Sequence, residues 1–349
     1  MNRPIHGGNR DWAAAIAKCP VSELIDFSAS INPLGPPKSV LNAIKGGLNS
    51  IIHYPDPNYT ELRKALASKH QISPDWILPG NGVAELLNWA ARDLGELGLV
   101  YVLSPGFADY ARALKSFGIR IASCPLEIST GKWNAKNNTK KSGLILNNPH
   151  NPTGHLWKSE EILPLLEEYE LVVLDEAFLD FSINSPSLIP WIENHPNLII
   201  LRSLTKFYSL PGLRIGYAIA HPDRLKRWKT WRDPWPVNIL ADLAARTAVI
   251  DHEFQRRSWE WLNESSPILF TNLTDIEGLN PRTSSVNFFL VHGNQNVPKL
   301  QKRLLQDHKI LIRDCLSFIG LDENYFRIAI KTPRENQILI EALKSCYEI

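Results

Sequence analysis

Short apolar runs recur through the middle of the chain: Leu99-Val-Tyr-Val-Leu103, Ile119-Arg-Ile-Ala122, Gly143-Leu-Ile-Leu146, Leu171-Val-Val-Leu174, Leu198-Ile-Ile-Leu201 and Ile215-Gly-Tyr-Ala-Ile219. They are rich in branched aliphatics, and polar or helix-length stretches separate them. A run that is apolar at nearly every position is buried on both faces, which predicts strands of a mostly parallel sheet covered by helices. The pattern leaves room for one antiparallel strand. From about Pro236 it changes. One helical stretch runs from Val237 to about Glu264, then strand-like Ser285-Val-Asn-Phe-Phe-Leu-Val291, a helix over about Val297 to His308, strands around Ile310–Arg313 and Phe326–Ile330, and a closing helix. This predicts an α/β chain: a three-layer sandwich around a mostly parallel sheet, with a smaller α+β domain attached through a long helix. The expected divisions are an N-terminal segment (1–39) that joins the small domain and the substrate site, a large ligand-binding domain (40–235), and the helix with the small domain (236–349).

Polar segments bearing Gly and Pro follow the strands. Ser104-Pro-Gly-Phe107 follows the first, Asn147-Asn-Pro-His-Asn-Pro-Thr-Gly154 the third, Asp175-Glu-Ala-Phe178 the fourth and Ser203-Leu-Thr-Lys206 the fifth. In open α/β sheets ligands bind beyond the carboxyl ends of the strands. These loops are therefore expected to converge on one pocket.

The chain has 349 residues, enough for two domains; 44% are apolar and 21% charged, and the net charge is +2. That balance gives no reason to expect nucleic acid or a membrane surface as partner. Cys19, Cys124, Cys315 and Cys346 are scattered without a C-x-x-C, so neither zinc nor a disulfide framework is indicated, and reduced thiols in the cytoplasm are expected. No secretion signal or membrane span is apparent in the sequence. In Lys226-Arg-Trp-Lys-Thr-Trp-Arg232 the two tryptophans lie three apart, as on one helix face, which predicts an amphipathic helix packed at the domain junction. His150 and His155 flank the Asn-Pro-Thr-Gly turn without metal-ligand spacing and read as polar loop contacts.

The chemistry centres on Lys206, in Ser203-Leu-Thr-Lys-Phe-Tyr-Ser-Leu-Pro-Gly-Leu-Arg214. A lysine beyond a buried strand, with hydroxyls at 203 and 205 and an arginine at 214, suits a Schiff base to pyridoxal 5'-phosphate whose phosphate those neighbours hold. The cofactor also needs a carboxylate on its pyridine nitrogen, for which Asp175 is the candidate, and a hydrogen bond to its ring oxygen, for which Asn151 is. Gly80-Asn-Gly82 precedes a helical run and fits an anion-binding helix start. Phe107 is placed to stack on the ring.

Asn-Pro-Thr-Gly, Asp-Glu-Ala-Phe and Ser-Leu-Thr-Lys with Gly-Leu-Arg occur in an order that resembles the fold-type-I pyridoxal-phosphate enzymes of the class I/II aminotransferase superfamily, over nearly the whole chain. His6-Gly-Gly-Asn9, Asp26-Phe-Ser-Ala-Ser-Ile-Asn-Pro-Leu-Gly35, His53-Tyr-Pro-Asp-Pro57, Arg313 and Arg327 resemble a subgroup acting on phosphorylated amines, its decarboxylases more closely than its aminotransferases. The resemblance implies that Lys206 carries the cofactor and that Tyr54 reaches the cofactor phosphate of a neighbouring subunit, hence a homodimer with shared sites. It implies that Arg327 binds the substrate carboxylate, that His6 and Arg313 bind the substrate phosphate, and that Asn32 lines the pocket. Phe178 departs from the tyrosine many aminotransferases carry there, which removes a donor to the ring oxygen.

Overall fold

The computed structural model describes residues 3–133, 141–183 and 187–347. After a short strand β1 (Ile25–Asp26), seven strands form the main sheet: β2 (Ile77–Gly80), β3 (Leu99–Ser104), β4 (Arg120–Pro125), β5 (Gly143–Asn147), β6 (Leu171–Asp175), β7 (Leu198–Ser203) and β8 (Gly216–Ala220). Their order is β2-β8-β7-β6-β5-β3-β4. Strands β3 to β7 are mutually parallel, and β8 runs antiparallel to both β7 and β2. The one antiparallel strand that the apolar pattern left room for is thus β8.

The continuous apolar runs are explained by two cores. Leu144, Leu146, Val172, Leu174, Leu198 and Ile200 face one, while Ile145, Leu171, Val173, Ile199 and Leu201 face the other. Alternate residues of each strand enter opposite cores, as the pleat requires. The second core contains Leu86, Leu87, Ala90 and Leu94 of the helix Val83–Leu94. Trp228 joins that core, so the helix Pro222–Trp231 is amphipathic as expected, but it packs beside β2 and the Val83–Leu94 helix.

The expected long helix is two, Ile239–Ala248 and His252–Thr274. Asp251 accepts from Phe254 N at 2.9 Å and caps the second, which places the break. A second sheet, ordered β12-β13-β10-β9, is built from β9 (Leu279–Pro281), β10 (Phe288–Gly293), β12 (Arg313–Asp314) and β13 (Tyr325–Ala329), with β11 (Ile310–Leu311) pairing in parallel with β1. That pairing fixes the N-terminal segment. Phe27 N donates to Leu311 O at 2.8 Å and Ala329 N to Phe27 O at 2.8 Å, and the following residues, Ser28 to Ser30, are carried to the carboxyl end of the main sheet.

Candidate active site

At the carboxyl ends of β5, β6 and β7 lies a cavity of about 440 Å³. Lys206, Asp175, Phe107, Asn151, Ser203, Thr205, Arg214, His6, Arg313 and Arg327 all line it. Asn147 and Asp175 end adjacent parallel strands in register, so both side chains arrive together. Asn147 Nδ2 donates to Asp175 O at 2.8 Å, and its Oδ1 accepts from Asn151 N at 2.7 Å. One amide thus ties the Asn-Pro-Thr-Gly turn to the end of β6.

Lys206 Nζ makes no hydrogen bond or ion pair among the described residues. Burial first, then the charges of Arg327 and Arg214, push its pKa down to about 8. About a tenth of the amine is therefore free base at neutral pH, far more than in an ordinary lysine, and the free base is the form that attacks a carbonyl. Asp175 is pushed up to about 6 by burial, against the donors Tyr110 Oη (2.6 Å, to Oδ2) and Ala177 N (3.0 Å, to Oδ1). Phe107 packs edge-on to Tyr110 at 5.5 Å between ring centres.

The helix Val83–Leu94 opens on the cavity through Val83 and Ala84, and no side chain caps it. Its first N–H groups are left for an anion. Its N-cap, Gly82, has φ +74°, and a Cβ there would come within 2.7 Å of Arg214 Nη2. Only glycine leaves room for that guanidinium. Arg214 itself sits in the left-handed region at φ +56°, a cost of about 1 kcal/mol. No carboxylate pairs with it among the described residues. Ser203 Oγ and Thr205 Oγ1 lie 2.7 Å apart. Gly80 and Asn81 do not line the cavity: Gly80 packs on Leu86, and Asn81 N is taken by Glu85 Oε2 at 2.7 Å.

Two buried arginines form the other wall. β12 and β13 are antiparallel with Arg313 directly opposite Arg327. Arg327 Nη1 donates to Asn151 Oδ1 at 2.6 Å and Nη2 to Ser28 O at 3.2 Å, while Nε is buried without a partner. Burial and then Arg313 push its pKa down to about 10. Arg313 donates to Ile5 O and to Ser317 Oγ (2.5 Å), and burial lowers its pKa as well. Neither is paired with a carboxylate among the described residues. Like charges opposed across a sheet repel, and a bound anion is what would offset them. His6 Nε2 lies 3.4 Å from Asp109 Oδ1 at the cavity edge.

One further expected site residue lies elsewhere. Asn32 is buried outside the lining: its Nδ2 donates to Phe207 O (2.9 Å) and Ser258 Oγ (2.7 Å), and its Oδ1 accepts from Leu34 N (3.0 Å). With every polar atom engaged, it clasps the loop behind Lys206, and its own N–H donates to Lys206 O at 3.1 Å. Tyr54, expected to serve a neighbouring subunit, is 78% exposed and packs at a 33° tilt against Trp235, with 4.5 Å between ring centres, away from its own cavity. Ser30, Asn147 and Tyr110, which line the cavity, were not singled out in the sequence. Tyr110 carried a signal, since it lies three residues after Phe107 at a helix start. Phe178 also lines the cavity, edge-on to Phe288 at 5.1 Å. His150 is buried, with Nδ1 2.8 Å from Thr153 Oγ1.

Residues 22–343 match the family model described as aminotransferase class I and II, and the chain belongs to that family. It is 36% identical to the threonine-phosphate decarboxylase of Salmonella typhimurium, over 97% of this chain and 96% of that protein. Among solved structures, L-threonine-O-3-phosphate decarboxylase from Porphyromonas gingivalis superposes with a TM-score of 0.83 at 30% identity, covering 93% of this chain and 99% of that one. Histidinol-phosphate aminotransferase from Sinorhizobium meliloti, in complex with pyridoxal-5'-phosphate, gives 0.87 at 25% identity, covering 97% and 95%.

The donors present fit pyridoxal phosphate. An unpaired amine, a buried carboxylate, an uncapped helix start beside two hydroxyls and an arginine, and the partnerless Ser30 Oγ all face one cavity. Lys206 would hold the aldehyde carbon and Asp175 the ring nitrogen. Ser203, Thr205, Arg214 and the Val83–Ala84 amides would hold the phosphate, and Phe107 would lie against the ring.

Proposed function

We propose that the chain is a pyridoxal-phosphate-dependent decarboxylase of L-threonine O-3-phosphate, releasing carbon dioxide and (R)-1-aminopropan-2-yl phosphate for cobalamin biosynthesis. The observation that carries this reading is the opposed pair Arg313 and Arg327, two buried cations neither of which forms an ion pair with a carboxylate among the described residues. A substrate with a phosphate at one end and a carboxylate near the other matches both charges at once. Histidinol phosphate itself offers the phosphate alone, and in aminotransfer the carboxylate would come from the separate amino-acid co-substrate, so only the decarboxylation substrate engages both arginines in one molecule.

The bound cofactor supplies an electron sink for the pair released when a bond to the α-carbon breaks. The protein would decide which bond that is, through the residues that orient the substituents of the α-carbon. Arg327 is held by Asn151 and by the Ser28 carbonyl, so its guanidinium presents a fixed fork to a carboxylate. Arg313, held by Ser317, and His6 from the same cavity wall would grip the phosphate. Binding energy spent on that remote group fixes the orientation at the α-carbon. Carbon dioxide leaves, and Lys206 returns a proton to the α-carbon. Aminotransfer is the second reading, favoured by the similarity to histidinol-phosphate aminotransferase; there the α-hydrogen would be the group oriented for removal, and Lys206 would move that proton.

We further propose that the enzyme is a homodimer, with Tyr54 entering the partner's site. Leu48, Ile51, Ile52, Tyr54 and Trp235 are exposed, and an interface would cover them.

Replacing Arg313 with alanine tests the assignment of charges. It should lower kcat/KM for the phosphorylated substrate by about a hundredfold, the cost of one buried charge-assisted contact, and leave L-threonine turnover nearly unchanged. An equal loss for both substrates would remove Arg313 from phosphate recognition.

A further inference from the structure

We propose that Tyr110 is a positioning residue for Asp175, its phenol holding the carboxylate ionised and fixed in plane to receive the N–H of the cofactor ring. The inference rests on the functional reading above, and concerns a residue that reading does not use.

The geometry is specific. Tyr110 lies in the first turn of the helix Ala108–Ser116, just after Phe107. Its Oη is 2.6 Å from Asp175 Oδ2, within the short range of an O–H donor on an ionised oxygen. Its ring is buried and edge-on to Phe107 at 83°. Ala177 N holds the other oxygen from within the same turn. With one donor on each oxygen the carboxylate cannot rotate, and each oxygen keeps a free acceptor direction.

The contact opposes a force already acting on Asp175. Full burial favours the neutral acid. A neutral acid would offer the ring nitrogen no negative charge. The charged and titratable groups facing Asp175 are Lys206 from the loop after β7, Glu176 next to it in sequence, and Tyr110 itself, with Asp109 close to the phenol. Glu176 and burial push towards the neutral form; Lys206 and Tyr110 push back. Lys206 titrates near neutral pH, whereas burial holds the Tyr110 hydroxyl well above the ordinary phenol range. Tyr110 is therefore a donor at every working pH.

The test uses the full-length chain with Tyr110→Phe, and a second variant carrying 3,5-difluorotyrosine at 110, which keeps the shape and strengthens the donor. Asp175 is followed by infrared titration of its carboxyl band in the cofactor-free protein, assigned by its loss in Asp175→Asn. The midpoint should rise by about one pH unit or more in Tyr110→Phe and fall in the fluorinated protein. With cofactor, Tyr110→Phe should lose about tenfold in kcat, the worth of one charge-assisted bond, with little change in KM. An unmoved midpoint in a protein that takes up cofactor normally overturns the proposal alone, even if kcat falls. A protein that takes up no pyridoxal phosphate at all overturns the functional reading, and the positioning role with it.

Discussion

The free amine of Lys206 is the residue on which the site turns. Because burial and two arginines pull its pKa down to about 8, the reactive fraction grows as pH rises through that value and then levels off. The rate at which the cofactor-free protein captures pyridoxal phosphate, followed by absorbance, should rise about tenfold per pH unit well below 8 and reach a plateau above it. A profile still climbing past pH 10 would mean an unperturbed lysine. Lys206, Asp175 and the hydroxyls were legible in the sequence because each ends an apolar run in polar chemistry. Asn32 was misplaced because an asparagine in a resembling motif reads the same whether its amide faces ligand or backbone. Tyr110 went unnoticed because its value lies in a contact 65 residues away along the chain.

The helix Val83–Leu94 turns its uncapped start to the site, so its far end must be anchored. That anchor is Asp93, fully buried near the helix C-terminus, where the dipole disfavours an acid. Arg224 and Arg227 (both 2.5 Å) and Trp228 Nε1 (2.8 Å) compensate from the helix Pro222–Trp231. Asp93→Asn should cost about 2 kcal/mol, chiefly by leaving the half-buried Arg224 unpaired, since Arg227 is exposed to solvent, read as a lower urea midpoint at constant slope. An unchanged midpoint would show that the clasp contributes nothing. The strands of the main sheet were legible from their apolar runs, with the exception of β2. Its Pro79 and Gly80 read as a turn, yet Pro is tolerated in an edge strand, which β2 is. The helix break before His252 went unread because apolar periodicity continues through it, while the signal, Asp251, is a single capping residue.

At the scale of the whole molecule, two observations bear on how the chain works. No helix among the described residues is long and apolar enough to cross a membrane. The exposed apolar group around Tyr54 and Trp235 lies away from the chain's own cavity; the resemblance assigned Tyr54 to a neighbouring subunit, but no sequence pattern announced the patch around it, because exposure is a property of the assembled surface. If Tyr54 completes a partner's site, mixing Lys206→Ala with Tyr54→Ala protein after partial unfolding and refolding should restore activity. Hybrid dimers then hold one intact site, giving up to about a quarter of the unaltered activity from random pairing of two chains. No gain on mixing would confine each site to one protomer. The central claim remains the pairing of two buried arginines with a substrate bearing both phosphate and carboxylate. Its most direct test is to incubate the holoenzyme with L-threonine O-3-phosphate and no keto acid, and to measure evolved carbon dioxide. The account predicts one carbon dioxide per substrate consumed; no carbon dioxide, together with keto-acid-dependent consumption of histidinol phosphate, would contradict it.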